Sequence, residues 1–541
     1  WLGECIANWT GLQTEGVRTA PPFFTDSDWG TIPPGYTNPI TYRLNMSPWW
    51  ADDDTDVEYV YLHLMSTQLG QAGPLLLSPQ RIADGWRLHM DPAFIWVSNY
   101  AAWQLMGRGV RPPATGLPAA NPYSAYIDAQ LTTEFFGAIC PGLPDQTLIL
   151  ADLPIRATSH GFATHAAQVF ALLYSLAADC PPGLSGRDRA LWLVDEAAKW
   201  IPPTSKSADI ISFVRADFLA SPDPDDWEST RDKIADRYMI HAAANGFQYL
   251  NWFESSVNFA CGIMCLLYGE CDYKKTIRIG TLSGWDSDNC TATMGGLLGL
   301  MLGYDQLVAQ FPGFTPDDRF WIDRTRNNLP DYLPADPAAD DTLSMMAARM
   351  IPLVDAAVYR AGGRVDMVTN HWILPPRIVS KHLAYNPGDQ LQNRSANNAV
   401  RAAGGSVTAF SSAPSAPASP AAVYGSSDPG FFANGLEHDF SGRDLQETRR
   451  YFYSTQGSGQ PSGTVQTLDV IYDRPREVWA VRFIEGDHFT AAGGFPAGSR
   501  GGWFTGAEVQ VRVNGQWVSV PGSQTEPLDP HCQAGVVHHR E

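Results

Sequence analysis

The sequence predicts a multidomain molecule: a mainly α-helical domain of several hundred residues followed by a β-sandwich. Three observations carry this. Up to about residue 365, apolar residues recur at three-and-four spacing, the period of a helix with one buried face. Beyond about residue 380 the texture changes to a Ser-, Pro- and Ala-rich stretch, "SSAPSAPASPAAVYGSSDPG", and then to runs that alternate apolar and polar residues. One such run, "AEVQVRVNGQWVSV", sets Asn514-Gly515 between two alternating segments, a hairpin signal because both turn positions favour positive φ. At 541 residues the chain exceeds one ordinary core. The expected division is a helical domain over 1–365, a connector over 366–385 and a β domain over 386–541.

The helical segments follow in order: "VEYVYLHLM", "THAAQVFALLYSLAADC", "RALWLVDEAAKWI", "VNFACGIMCLLYG", "TMGGLLGLMLGYDQLVAQF" and "SMMAARMIPLVDAAVYRAGG". Breakers such as "CPGLPD" and "PPTSKS" separate helical runs. The strand candidates are "VQTLDVIY", "VWAVRFIEG" and the two arms of the hairpin.

Composition excludes several function classes. Hydrophobic residues are 44% and aromatics 11%, enough to build cores and too many for global disorder. The net charge is 37 − 57 = −20, which disfavours nucleic acid and anionic membranes as partners and suits cation binding. No apolar run reaches the roughly 18 residues of a membrane span; "GGLLGLMLG" is too short. None of the eight cysteines makes a CxxC pair, and they read as buried thiols; Cys261 and Cys265 fall on one helix face. Four sequons, at Asn8, Asn45, Asn289 and Asn393, point to an extracellular location.

Two acidic clusters carry the chemistry. Asp52, Asp53 and Asp54 stand in a row at the head of an apolar helix. One Asp suffices to cap a helix, since a single side chain satisfies the orphan N–H groups. Three mutually repelling carboxylates need a further reason. In the second cluster, Asp286 and Asp288 flank Ser287, Asn289 follows, and small residues to Gly299 allow a close helix crossing. Together the clusters offer five carboxylates with hydroxyl and amide oxygens and no His. This is a hard donor set, suited to Mg²⁺, Mn²⁺ or Ca²⁺ and not to zinc.

With these motifs the helical region resembles the ADP-ribosylglycohydrolase family, the dinitrogenase-reductase-activating glycohydrolases included, over roughly residues 1–365. Asp52-Asp53-Asp54-Thr55 is similar to the family's first metal motif, and Gly284-Trp285-Asp286-Ser287-Asp288 to its second. "GLQTEG" resembles its N-terminal segment and supplies Glu15, with Gln13 where Pro is usual. "IDAQLTTEFFGAICPGLPD" and "RATSHG" resemble its middle segment, which ends at Ser159-His160-Gly161. The resemblance implies an all-α domain with one or two Mg²⁺ or Mn²⁺ ions held by Asp52, Asp53, Asp54, Asp286 and Asp288. Asn289 stands where other members carry a liganding Thr and offers an amide oxygen; Asp52 also replaces a Thr. Glu15 is the implied acid/base and His160 an implied substrate contact. The implied reaction is cleavage of a glycosidic bond to ADP-ribose or a related sugar.

The tail resembles a discoidin-like (galactose-binding-like) domain, through "SVTAFSSAPSAPASPAAVYG" and "RRYFYSTQ". This implies a β-sandwich that binds a glycan surface, with aromatics such as Trp503 available to stack on sugars. Its end, "CQAGVVHHRE", lacks the closing strand, so a truncated or unusual sandwich is expected. Two functions compete: a secreted metal-dependent glycohydrolase with a carbohydrate-binding accessory domain, and a non-enzymatic extracellular adhesion or structural protein on a degenerate hydrolase scaffold. Retention of all five Asp favours the first, and the change from Thr to Asn289 the second.

Overall fold

The expected helices form, one of them divided in two, and they pack around one buried hydrophobic core. The computed structural model describes residues 1–50, 52–71, 73–321, 341–375, 392–393, 406–409, 436–437, 468–471, 483–485, 510–513, 516–519 and 538–540. The chain divides into two compact units, Trp1–Asn386 and Pro387–Glu541.

In the first unit the described helices are α1 (Leu2–Gly11), α2 (Asp53–Gly70), α3 (Pro79–His89), α4 (Val97–Gly107), α5 (Phe135–Ala138), α6 (Pro144–Arg156), α7 (Phe162–Ala177) and α8 (Gly186–Ala198). They continue as α9 (Lys206–Ala220), α10 (Trp227–Ala235), α11 (Ser255–Gly269), α12 (Tyr273–Leu282), α13 (Ser287–Leu302), α14 (Tyr304–Ala309) and α15 (Leu343–Arg360). Three short strands, β1 (Trp49–Trp50), β2 (Arg319–Trp321) and β3 (Asp341–Thr342), form one sheet in the order β1-β2-β3. β4 (Arg364–Asp366) and β5 (His371–Ile373) pair antiparallel.

The helix at the first acidic cluster starts for the reason capping predicts. Asp52 has extended backbone angles, its N–H donates to Thr55 Oγ1 at 3.1 Å, and Asp53, Asp54 and Asp56 fill the first turn, where the helix dipole favours negative charge. The run "TMGGLLGLMLGYDQLVAQF" is two helices rather than one. Gly303, at φ 74°, leaves the helical region and separates α13 from α14.

α13 lies against α1, and glycine makes the close approach possible. A Cβ on Gly295 would meet Ala7 Cβ at 2.2 Å and the Gly3 carbonyl at 2.8 Å. The small residues of the second cluster thus do what their spacing implied. They let the backbone that carries Asp286 and Asp288 come within reach of the one that carries Asn8 and Glu15. The seven described cysteines are free thiols, and Cys261 and Cys265 are both buried on α11.

In the second unit, β6 (Gln392–Asn393), β7 (Ser406–Ala409), β8 (Leu436–Glu437), β9 (Leu468–Ile471), β10 (Phe483–Glu485), β11 (Gln510–Val513), β12 (Gln516–Ser519) and β13 (His538–Arg540) are described. They pair as β6 with β8, β7 with β9, β10 with β13 and β11 with β12, all antiparallel. β11 and β12 run from Gln510↔Ser519 to Val513↔Gln516, the two arms of the expected hairpin. Asn514, Gly515, Trp503, "RRYFYSTQ" and most of "SVTAFSSAPSAPASPAAVYG" lie outside the described residues.

The α1–α13 crossing is testable. Gly295→Val is expected to destabilise the protein by about 1–3 kcal/mol through overpacking. Gly70→Ala, at the end of α2 with open space around its Cβ position, should stay within about 1 kcal/mol of wild type. Urea midpoints of both variants check this.

Candidate metal centre

Each acidic cluster gathers its own oxygens. Asp52, Asp53 and Asp54 each offer a carboxylate oxygen within 4.8 Å of the others. Glu15, Asp286 and Asp288 form a second such group, also within 4.8 Å. The backbone explains why Glu15 joins the second group. Thr14 Oγ1 meets Ser287 Oγ at 2.9 Å, and the Gly16 N–H donates to the Trp285 carbonyl at 2.8 Å. The N-terminal segment is therefore fastened to the turn that opens α13.

That turn is strained. Gly284 and Trp285 both have positive φ, 94° and 52°. At Gly284 a Cβ would fall 2.7 Å from the Arg18 carbonyl, so glycine is required there. Trp285 has no such freedom and is held by burial and by the Phe23 ring, with centroids 4.5 Å apart. Such strain persists where surrounding packing over-determines it. Its result is to aim Asp286 and Asp288 inward, and the Asp286 N–H is fixed by Asn258 Oδ1 at 3.2 Å.

The two groups meet although 235 positions separate Asp54 from Asn289. Asn289 Nδ2 approaches Asp54 Oδ1 at 3.5 Å. On the other side, Asn8 Nδ2 donates to Asp52 Oδ2 at 3.1 Å and to Asp54 Oδ2 at 3.2 Å. The electrostatics agree. Burial pushes the Asp54 carboxyl well above the usual range, and the charges of Asp288, Asp53, Asp52 and Asp286 push it the same way. Burial, then Asp288, Glu15 and Asp53, raise Asp286 likewise. Asp288 is pushed up to about 7, mainly by burial and also by Asp52 and Asp53. Its Oδ1 is buried without a hydrogen-bond partner.

The donor set fits a hard divalent cation. It is all oxygen, it is mutually repelling, and it holds an unpartnered buried carboxylate oxygen. Asn289 Oδ1 accepts from Gln130 Nε2 at 3.0 Å, and Gln130 Oε1 in turn accepts from Ser255 Oγ at 2.8 Å. The amide oxygen expected to ligate is engaged, and the nitrogen faces Asp54. Asn289 thus links Gln130 to Asp54. His160 belongs to neither carboxylate group; it sits half-buried before α7, where its backbone N–H donates to the Ser124 carbonyl at 2.9 Å. Asn8 and Asn289 are fully buried, so their sequons are closed to glycosylation in the folded protein, while Asn45 is exposed.

Sequence reading assigned no part to Asn8, Gln130 or Asn258, nor to a deeper acidic layer. Glu4, Glu58 and Thr293 lie four residues from Asn8, Asp54 and Asn289, one helical turn along the same three helices. Glu58 Oε1 accepts from the Phe135 N–H at 2.6 Å, and Glu134 accepts from the Thr133 N–H at 3.0 Å and from Thr293 Oγ1. Burial pushes Glu4 up to about 8 and Glu134 to about 7, and it raises Glu58 well above the usual carboxylate range. The signal was an acid at i+4 of Asp54 inside an otherwise apolar helix.

These raised values set a pH dependence. The unfolded carboxyls release their protons near pH 4, whereas Asp288, Glu134 and Glu4 keep theirs to about 7, 7 and 8. The folded state therefore binds more protons across that window, and stability falls as pH rises. With a chelator present, the melting temperature is expected to drop from about pH 5 to about pH 8. Adding Mg²⁺ or Mn²⁺ should raise it, most at the alkaline end, because bound cation replaces protons at the Asp set. A melting temperature that climbs over this range and ignores both ions would contradict the assignment.

Comparison with known proteins follows the same residues. The ADP-ribosylglycohydrolase family profile matches residues 1–348. No curated protein matches the chain. A solved structure described as "ADP-ribosylglycohydrolase-related protein complex" is 16% identical, covering 66% of this chain and 95% of that one with a TM-score of 0.37. The family match runs through both carboxylate motifs and over more than half of the chain, and the protein belongs to the ADP-ribosylglycohydrolase family.

Proposed function

We propose that the protein is a metal-dependent glycohydrolase that cleaves a glycosidic bond to ADP-ribose or a related sugar. Membership of the family implies a hydrolase acting on an ADP-ribosylated substrate. The observation that carries the finer reading is that two carboxylate groups remote in sequence are brought together by the approach of Asn289 to Asp54, with Asp288 Oδ1 buried and without a hydrogen-bond partner.

Asp52, Asp53, Asp54, Asp286 and Asp288 would hold Mg²⁺ or Mn²⁺. When bound, such a cation supplies charge stabilisation for vicinal hydroxyls and acidifies water. The rest is the work of the chain itself. Asn8 orients Asp52 and Asp54, and Asn289, braced by Gln130, orients Asp54 from the opposite side. Burial of Asp54, Asp286 and Asp288 keeps bulk water from competing for their oxygens. Glu15 is half-buried beside Asp286 and Asp288, where a substrate and solvent can both reach it. As a carboxylate it takes the proton of the attacking water, and in its acid form it delivers one to the leaving group. His160, as a substrate contact, completes the proposal. An extracellular setting, with exposed Asn45 as a glycan acceptor and a discoidin-like second unit holding a glycan surface, belongs to it as well.

The test is an assay with Mg²⁺, Mn²⁺ or chelator on ADP-ribosyl-arginine, ADP-ribosyl-serine and a panel of furanosides and pyranosides. Turnover is expected only with the metal and should vanish in Asp286→Ala/Asp288→Ala. Glu15→Gln should lower kcat by about 10²–10⁴-fold with cation affinity retained. Lost affinity instead would make Glu15 a ligand. Cation binding without turnover of any substrate would favour the non-enzymatic scaffold.

A further inference from the structure

Although the chain carries a net charge of −20, it gathers three cations around one surface cavity. The cavity measures about 480 Å³ and is lined by Asp26, Tyr42, Asp225, Lys274, Lys275 and Arg278. None of these residues belongs to either carboxylate group of the metal centre. Lys274, Lys275 and Arg278 all come from α12, and all three are half-buried. Residues three and four apart are neighbours on a helix, and like charges at that spacing destabilise it. Lys274 and Lys275 stand in the first turn of α12, where the helix dipole disfavours cations. Helix formation therefore gives no reason for this cluster.

Nor do the neighbouring acids use it up. Lys275 Nζ pairs with Asp225 at 2.6 Å, but the Asp225 side chain is 67% exposed, and a pair this open to water is weak. Arg278 Nε lies 3.3 Å from Asp26 Oδ1 without a directed hydrogen bond, and both atoms are buried without a hydrogen-bond partner. Among the described residues Arg278 donates no hydrogen bond and Lys274 makes no ion pair. The Lys274 ammonium stands 5.6 Å from the centre of the Tyr42 ring and 5.5 Å from that of Phe311. This aromatic wall is fixed. Tyr42 Oη donates to the Lys274 carbonyl at 2.7 Å, and its ring meets those of Trp29 at 4.9 Å and Phe311 at 5.2 Å.

The charge selects the ligand. Three cations against two carboxylates leave one positive charge in excess, and Asp225, largely in solvent, can turn away to leave two. A phosphate monoester carries a charge of about −1.5 to −2 near pH 7 and offers several strong acceptor oxygens. Ammonium and guanidinium groups are its usual donors. The cavity falls in the range of about 300–1,000 Å³ that holds small organic ligands, so the phosphate carries an organic group.

We propose that Lys274, Lys275 and Arg278 form a binding site for a small organic phosphate monoester, with Lys274 and Arg278 as its main phosphate contacts. The site is separate from the carboxylate centre and does not depend on the glycohydrolase reading. The test is isothermal titration calorimetry of the full chain, in chelator and phosphate-free buffer at low ionic strength, with ribose 5-phosphate and with AMP; inorganic phosphate and ribose are the references. At least one ester should bind saturably and more tightly than either reference, and whichever binds identifies the organic group the cavity accepts. Lys274→Ala and Arg278→Ala should each weaken binding roughly tenfold. Lys233→Ala, which removes a surface cation outside the cavity, and Asp286→Ala/Asp288→Ala should both retain it. Melting temperatures establish folding, and Lys274→Ala, which breaks no ion pair, decides the test if Arg278→Ala does not fold. The proposal is overturned if neither ester binds, if inorganic phosphate binds as tightly as both, or if folded Lys274→Ala binds unchanged. It is equally overturned if Lys233→Ala or the aspartate variant loses binding as Lys274→Ala does.

Discussion

Five aspartates crowded into one poorly solvated volume cannot all be ionised without compensating charge. At an effective dielectric of about 20, two unit charges at about 4 Å repel by roughly 4 kcal/mol, and burial adds to this. Protons or a cation must supply the balance. Much else in the helical unit can be read as a response to that constraint: the amides of Asn8 and Asn289 turned toward Asp54, the brace from Gln130, and the strained turn at Gly284 and Trp285. The deeper glutamates extend the same economy inward. Glu58 and Glu134 accept backbone N–H groups and sit where a protonated acid is favoured over a carboxylate.

Geometry follows from chain packing rather than from the acids themselves. Two glycines, Gly3 and Gly295, bring the backbones of α1 and α13 together. The Thr14–Ser287 contact and the Gly16–Trp285 bond then set Glu15 against the second cluster. Helix periodicity does the rest, since residues four apart share a face and generate stacked polar layers from three helices at once.

The helical segments, their breakers and both acidic clusters were legible in the sequence because each is a local pattern: a period, a turn residue, a run of like charges. The family resemblance was legible for the same reason. Partnership was not. Asn8 read as a sequon and Gln130 as an unremarked residue, because nothing local announces that one amide bridges Asp52 and Asp54 or that the other holds Asn289. Asn289 was identified as part of the centre, but which of its two amide atoms faces Asp54 depends on Gln130, 159 positions away. The pairing of Trp49 and Trp50 with Phe320 and Trp321 was equally hidden, since it exists only through a parallel register between remote strands.

That remoteness has a consequence for how the protein is made. The Asp52–Asp54 cluster leaves a ribosome early, yet its partners on α13 follow only after well over 200 further residues, and Phe320 and Trp321 later still. At about 5–20 residues per second, the nascent chain carries an unpartnered acidic helix start for roughly 10–50 s. Divalent cations therefore have no assembled pocket with which to guide early collapse. Closure of the N-terminal segment onto α13 must therefore wait until α13 itself has been made.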